Sequence, residues 1–215
     1  MKHLIKTIRL IEKQIQPYAV PSVTKIAARR DPYQVLISCI LSLRTKDKTT
    51  IEAAYRLFRV ASNPASLVRL SRGRLEKLIY PVGFYRNKAK AILDISHKLI
   101  KTFNGKVPYK LEDLLAFKGV GLKTANLVLS LGFNIPAICV DTHVHRISNR
   151  LGWVKTKTPE ETEKELKKIL PGNEWIGINT TLVTFGQNLC LPILPFCSRC
   201  LAVNFCKRKG VYKFR

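Results

Sequence analysis

Acidic residues are scarce in this sequence: 14 Asp and Glu stand against 38 Lys and Arg, a formal charge of +24 over 215 residues. That shortage disfavours cationic ligands and favours polyanions, of which nucleic acid is the commonest large one and an acidic membrane surface the other. Long apolar runs are missing as well. Nothing approaches the ~20 residues that a membrane-spanning helix needs, so no membrane partner is expected. There is no internal repeat, no low-complexity tract and little of the two-residue alternation that marks strands.

The first residues, MKHLIKTIRLIEKQIQ, lack the unbroken apolar stretch of a secretion signal because Lys6, Arg9 and Glu12 interrupt it. They also lack the serines of a mitochondrial presequence. Leu4, Ile8, Ile11 and Ile15 recur at helical spacing, which predicts an amphipathic helix. An intracellular location follows as the expectation, cytoplasm or nucleoid if the source is prokaryotic.

What is present is helical periodicity. Ile92, Ile95, Leu99 and Phe103 make a stripe in NKAKAILDISHKLIKTF, and DPYQVLISCILSL is apolar enough for a buried helix. Thr158-Pro159-Glu160-Glu161 combines a capping residue, Pro at the first helical position and Glu three residues after the cap. A helix is predicted to start there and to stop before Pro171-Gly172. The fold class is therefore all-α, with about ten helices joined by short polar connections.

LEDLLAFKGVGLKTANLVLSLGF is the most informative stretch. Leu111 to Phe117 and Leu122 to Leu131 read as two helices, the second turning Ala125, Val128 and Leu129 inward. Between them, Lys118-Gly119-Val120-Gly121 allows a tight hairpin whose outward N–H groups suit a phosphate without reading a base. It is not a P-loop, because Leu122 separates Gly121 from Lys123. The alternative is an ordinary helical hairpin with glycine in its turn.

Lys123 lies in the first turn of the second helix. The positive end of that helix, basic neighbours and partial burial would each disfavour an ammonium and so favour a nucleophilic amine; a solvated or phosphate-binding lysine is the plainer reading. Asp141 follows the apolar ICV and precedes THVHRISNRLGW, which reads as a helix with Asp141 as its N-cap. A carboxylate held in that way can also stabilise a developing cation or assist proton transfer. His143 and His145 are two apart, so they face different ways on a helix and do not form a metal pair.

Of six cysteines, Cys39 and Cys139 sit in apolar surroundings that suit buried thiols. Cys190, Cys197, Cys200 and Cys206 are spaced C-x6-C-x2-C-x5-C. In an intracellular chain such a cluster points to metal ligands before disulfides. Four thiolates suit zinc and an iron-sulfur cluster about equally.

Together these residues resemble the endonuclease III family of DNA glycosylases, in the helix-hairpin-helix superfamily. The likeness runs from about Asp31 to Cys206 and includes LSLRTKD, VGFYRNKA, FNGKVP, FKGVGLKTAN, VDTHVHRISNR and the four cysteines. Asp141 stands eighteen positions after Lys123. The resemblance implies two helical lobes, with an active-site cleft between them and a [4Fe-4S] cluster on all four cysteines. One domain, residues 23–135, would be a six-helix barrel carrying the hairpin; the other, residues 1–22 with 136–215, would carry the cluster. A monomer acting on double-stranded DNA that contains damaged pyrimidines or abasic sites is implied.

The resemblance makes Lys123 and Asp141 catalytic and assigns Lys118, Gly119, Val120 and Gly121 to the DNA backbone. Arg44 and Phe84 would fill the hole left by a flipped nucleotide, and Ser42 and Asp47 would line the pocket. Without it, Phe84 reads as core and Arg44 as surface. Three departures stand out. Phe117-Lys118 replaces the family's usual Leu-Pro, Arg44 stands where Gln is frequent, and Leu191 to Phe196 lack the basic residues common between the first two cysteines. Those apolar side chains are expected to pack on the protein, leaving Arg199 and Lys207 to Lys209 for phosphate. The alternatives are a monofunctional mismatch glycosylase and a non-catalytic DNA-binding metal-cluster protein.

Overall fold

The computed structural model describes residues 2–215, the side chains of Lys2 and Arg29 excepted. No strand occurs among the described residues. In chain order the α-helices are α1 (Lys2–Ile15), α2 (Ser22–Ile26), α3 (Pro32–Ser42), α4 (Asp47–Val60), α5 (Pro64–Leu67), α6 (Arg72–Ile79), α7 (Tyr85–Phe103), α8 (Leu111–Leu115), α9 (Leu122–Leu127), α10 (Thr142–Leu151), α11 (Pro159–Ile169) and α12 (Trp175–Asn188). They gather into two compact units, one formed by Ser22–Ala137 and the other by Met1–Pro21 with Ile138–Arg215.

Local chemistry sets several of the helix starts. Asp31 accepts the backbone N–H groups of Tyr33 and Gln34 at 2.9 and 3.1 Å, with Pro32 at the first position of α3. Thr158 caps α11 through the Glu161 N–H, and the Glu161 side chain reaches back to the Lys157 N–H at 2.8 Å. Each such cap contributes about 1 kcal/mol. No helix is long and apolar enough to cross a membrane among the described residues.

In the Ser22–Ala137 unit, α3 is enclosed: Val35 through Leu41 are all buried, and α2, α4, α7 and α9 pack around it. That enclosure is why DPYQVLISCILSL is apolar all round rather than on one face. The α7 stripe is buried at Ile92, Ile95 and Leu99, while Phe103 is half-buried near Phe117, with ring centres 5.8 Å apart. In the other unit, Ile8 and Ile11 of α1 share a core with Val144 and Ile147 of α10, Leu166 of α11 and Leu182 and Phe185 of α12. Burial of each such side chain contributes roughly 1.5–3 kcal/mol.

One helix differs from expectation. The second helix of the hairpin is α-helical only to Leu127, and Val128–Gly132 continues it as a π-helical turn. There Gly132 meets α3 so closely that a Cβ would lie 2.9 Å from the Pro32 Cα.

Candidate functional site

The hairpin between α8 and α9 is built as the glycines require. Gly119 has φ +87°, a left-handed conformation that a side chain would strain. Phe117 and Val120 are buried and anchor the turn, while Lys118, Gly119 and Gly121 are exposed. Gly121 precedes α9 in extended conformation, and no side chain caps that helix start.

Lys123 is exposed on the first turn of α9. The partial burial considered for it is therefore not found. Its charge acts on the thiol of Cys39, which burial nonetheless pushes up to about 12. Cys39 lies on α3, and α3 packs against α9. Cys39 and Cys139 are both buried, as their surroundings predict.

Two loops of the same unit converge. Arg44, between α3 and α4, and Phe84, before α7, both have left-handed backbones with φ of 50° and 57°. The Arg44 guanidinium lies 5.8 Å from the centre of the Phe84 ring. Phe84 is 60% exposed, against the apolar expectation that it belongs to the core; Arg44 is exposed, as expected. Ser42 ends α3 and donates to the Cys39 carbonyl at 2.9 Å, and Asp47 opens α4, where it accepts from Ser22 Oγ at 2.6 Å.

Behind these loops is a lysine that sequence reasoning passed over. Lys88 of α7 is buried, and its Nζ donates to the carbonyls of Leu41 (2.8 Å) and Leu43 and to Thr45 Oγ1 (3.0 Å). Burial pushes this group down to about 8, while three oxygens facing an ammonium favour the charged form. The signal was available: Lys88 lies one helical turn before Ile92, on the inward stripe.

In the other unit Asp141 caps α10, its Oδ1 accepting the N–H groups of His143 and Val144, both at 2.9 Å. His143 Nδ1 lies 3.2 Å from Arg146 and His145 Nδ1 2.6 Å from Thr162 Oγ1, so each imidazole has its own protein partner.

Cys190, Cys197, Cys200 and Cys206 line one small cavity of about 30 Å³ together with Leu151, Phe185, Leu189, Phe196 and the arginines Arg150 and Arg208. Among the described residues no three His, Cys, Asp or Glu groups close on a single ion. The cavity is otherwise almost wholly apolar, and N–H donors reach its sulfurs: Arg150 to Cys190 Sγ at 3.6 Å and the Arg208 backbone to Cys206 Sγ at 3.3 Å. Burial, reinforced by the neighbouring sulfurs, pushes Cys200 up to about 11, and a bound cation would favour the thiolate there. Four free thiols with such donors around a shared apolar chamber fit a sulfur-ligated metal group.

The apolar loop is only partly turned inward. Arg150 holds the carbonyls of Leu191 and Pro192, and Phe196 is overlaid by Arg199 and Arg215 at 3.9 and 4.5 Å from its ring centre. Pro195 is buried, but Ile193 is 79% exposed and Leu194 39%. Lys207, Arg208 and Lys209 are exposed, with the Lys207 stem lying over Gly152, where a Cβ would come within 2.4 Å of it.

Residues 37–172 match the model of the HhH-GPD superfamily of base excision DNA repair proteins, which defines the class. Endonuclease III of Thermotoga maritima is 51% identical over 183 residues, covering 84% of this chain and 86% of that protein. Endonuclease III-like protein 1 of Mus musculus is 45% identical over 177 residues, covering 81% of this chain and 59% of that protein. A solved structure of a non-covalent endonuclease III–DNA complex matches with a TM-score of 0.85 at 34% identity, covering 96% of this chain and 95% of that one. The chain belongs to the endonuclease III family.

Proposed function

We propose that this protein is a bifunctional DNA glycosylase and abasic-site lyase of base excision repair, acting on damaged pyrimidines in duplex DNA. The observation that carries the reading is family membership at 51% identity over 84% of the chain, in a sequence that keeps both Lys123 and Asp141.

The nucleotide is turned out of the stack, with Phe84 as an apolar wedge and Arg44 donating to the orphaned base. Ser42 and Asp47 border the extruded base. Lys118 to Gly121 hold the DNA backbone through exposed N–H groups and one added charge. Lys123, as the free amine, attacks C1′; the C1′–N bond breaks and its electron pair leaves with the base, which takes up a proton. Asp141 accepts the proton from the amine or stabilises the positive charge on the sugar. Ring opening gives an iminium between Lys123 and C1′. Loss of the C2′ proton then expels the 3′ phosphate by β-elimination, and water releases the lysine.

Cys190, Cys197, Cys200 and Cys206 would hold a [4Fe-4S] cluster. Bound there, it would brace the C-terminal segment, leaving Arg199 and Lys207 to Lys209 to meet phosphate. The Ser22–Ala137 unit is read as the hairpin domain and the other as the cluster domain, in a monomer.

The reading is tested with duplexes carrying single oxidised pyrimidines or a preformed abasic site. Base release without strand cutting would leave a monofunctional glycosylase, and neither activity would leave a DNA-binding protein.

A further inference from the structure

Arg44 and Phe84 share an uncommon property. Both are among seven described side-chain-bearing residues in the left-handed region, at φ 50° and 57°, on two different loops of one unit. Such conformations persist only where the surroundings over-determine them, and they cluster at functional sites. What over-determines them here is a single polar knot. Lys88 Nζ uses its three N–H bonds on Leu41 O, Leu43 O and Thr45 Oγ1. Thr45 Oγ1 also accepts the Gly83 N–H at 3.2 Å and donates to Leu43 O at 3.2 Å. Gly83 completes the closure, since a Cβ there would lie 2.7 Å from the Arg44 carbonyl oxygen.

The cation also sits where its charge is useful. Leu41 and Leu43 lie at the C-terminal end of α3, whose carbonyls carry the negative end of the helix dipole. A buried lysine on α7 therefore caps α3, and the two loops join at Thr45 Oγ1, which accepts from both Lys88 Nζ and the Gly83 N–H. Directly across the tie, the Arg44 guanidinium and the Phe84 ring face each other at 5.8 Å.

We propose that Lys88 is a positioning residue for nucleotide extrusion: it locks the Leu43–Thr45 segment to the Gly83–Phe84 turn, so that Arg44 and Phe84 meet the duplex as one preassembled wedge. This rests on the reading above that those two side chains fill the space a flipped nucleotide leaves. Preassembly matters because a loop ordered only on binding spends interaction energy on its own ordering rather than on unstacking the base.

The test uses the full-length protein with Lys88→Met, which keeps the stem and removes the donors, and Thr45→Val, a gentler cut at the same knot. Unstacking is followed by 2-aminopurine fluorescence beside the lesion, and excision by single-turnover kinetics on duplex. Cleavage of an abasic site in a single strand, which needs no wedge, is the control. Lys88→Met should lower unstacking and duplex excision about tenfold while leaving single-strand cleavage within about twofold. Thr45→Val should shift both in the same direction by less, and adding Phe84→Ala to Lys88→Met should give no loss beyond Phe84→Ala alone. Equal loss of all three readouts in proportion to unfolding would overturn the proposal, as would unchanged unstacking in both knot variants when Phe84→Ala depresses it. Unchanged unstacking in Phe84→Ala would instead overturn the wedge reading itself.

Discussion

Asp141 Oδ1 receives the backbone N–H of Val144 at 2.9 Å, so the residue proposed for catalysis is also the cap on which α10 begins. The two roles separate by substitution. Asparagine caps a helix nearly as well as aspartate but cannot carry the charge. Asp141→Asn should leave thermal stability within about 0.5 kcal/mol and DNA binding intact while base excision falls at least about 100-fold. Asp141→Ala should additionally destabilise the protein by about 1 kcal/mol. Thermal melts paired with single-turnover excision check both; full activity in Asp141→Asn would remove Asp141 from the chemistry.

Phe84 is 60% exposed, so Phe84→Ala should change stability by no more than about 0.5 kcal/mol. Its duplex binding and excision should fall nonetheless, because an exposed aromatic ring contributes to the partner's binding rather than to the core. A Phe84→Ala protein that melts several degrees lower would return this ring to a structural role.

How much of this was legible in the sequence follows from the range of the interactions. The caps at Asp141 and Thr158 and the Gly119 turn are decided within four residues, and the sequence pattern places them correctly. The apolar rule mislocates Phe84 because hydropathy does not distinguish a core ring from one presented outward. The Lys88 knot escapes because its partners are 43 to 47 positions away. A lysine at an inward helical register was the only local sign of it. The π-helical turn at Val128–Gly132 and the outward Ile193 are not encoded in any local periodicity.

Lys88 also sets a pH signature. Its folded value, about 8, is below the ordinary 10.5 of an unfolded lysine, so between those values the unfolded chain holds a proton that the folded one has released. Stability therefore rises with pH across that window on this residue's account, and below about pH 8 the full burial penalty of the charge is present. Urea titrations at about pH 7 and about pH 10 should show that rise in the parent protein and a flatter one in Lys88→Met.

The cysteine chamber gives an optical prediction. Protein purified without oxygen should be brown, with broad visible absorption and about four irons per chain. Cys200→Ser should lose that colour and lower the melting temperature. Colourless protein with one zinc per chain would contradict the cluster.

Borohydride trapping tests the central claim most directly. With reductant present, the intact protein and duplex containing an abasic site should give a covalent protein–DNA complex, and Lys123→Ala should give none while still binding the duplex. No complex from the intact protein, or an undiminished one from Lys123→Ala, would contradict the assignment of Lys123 as the nucleophile.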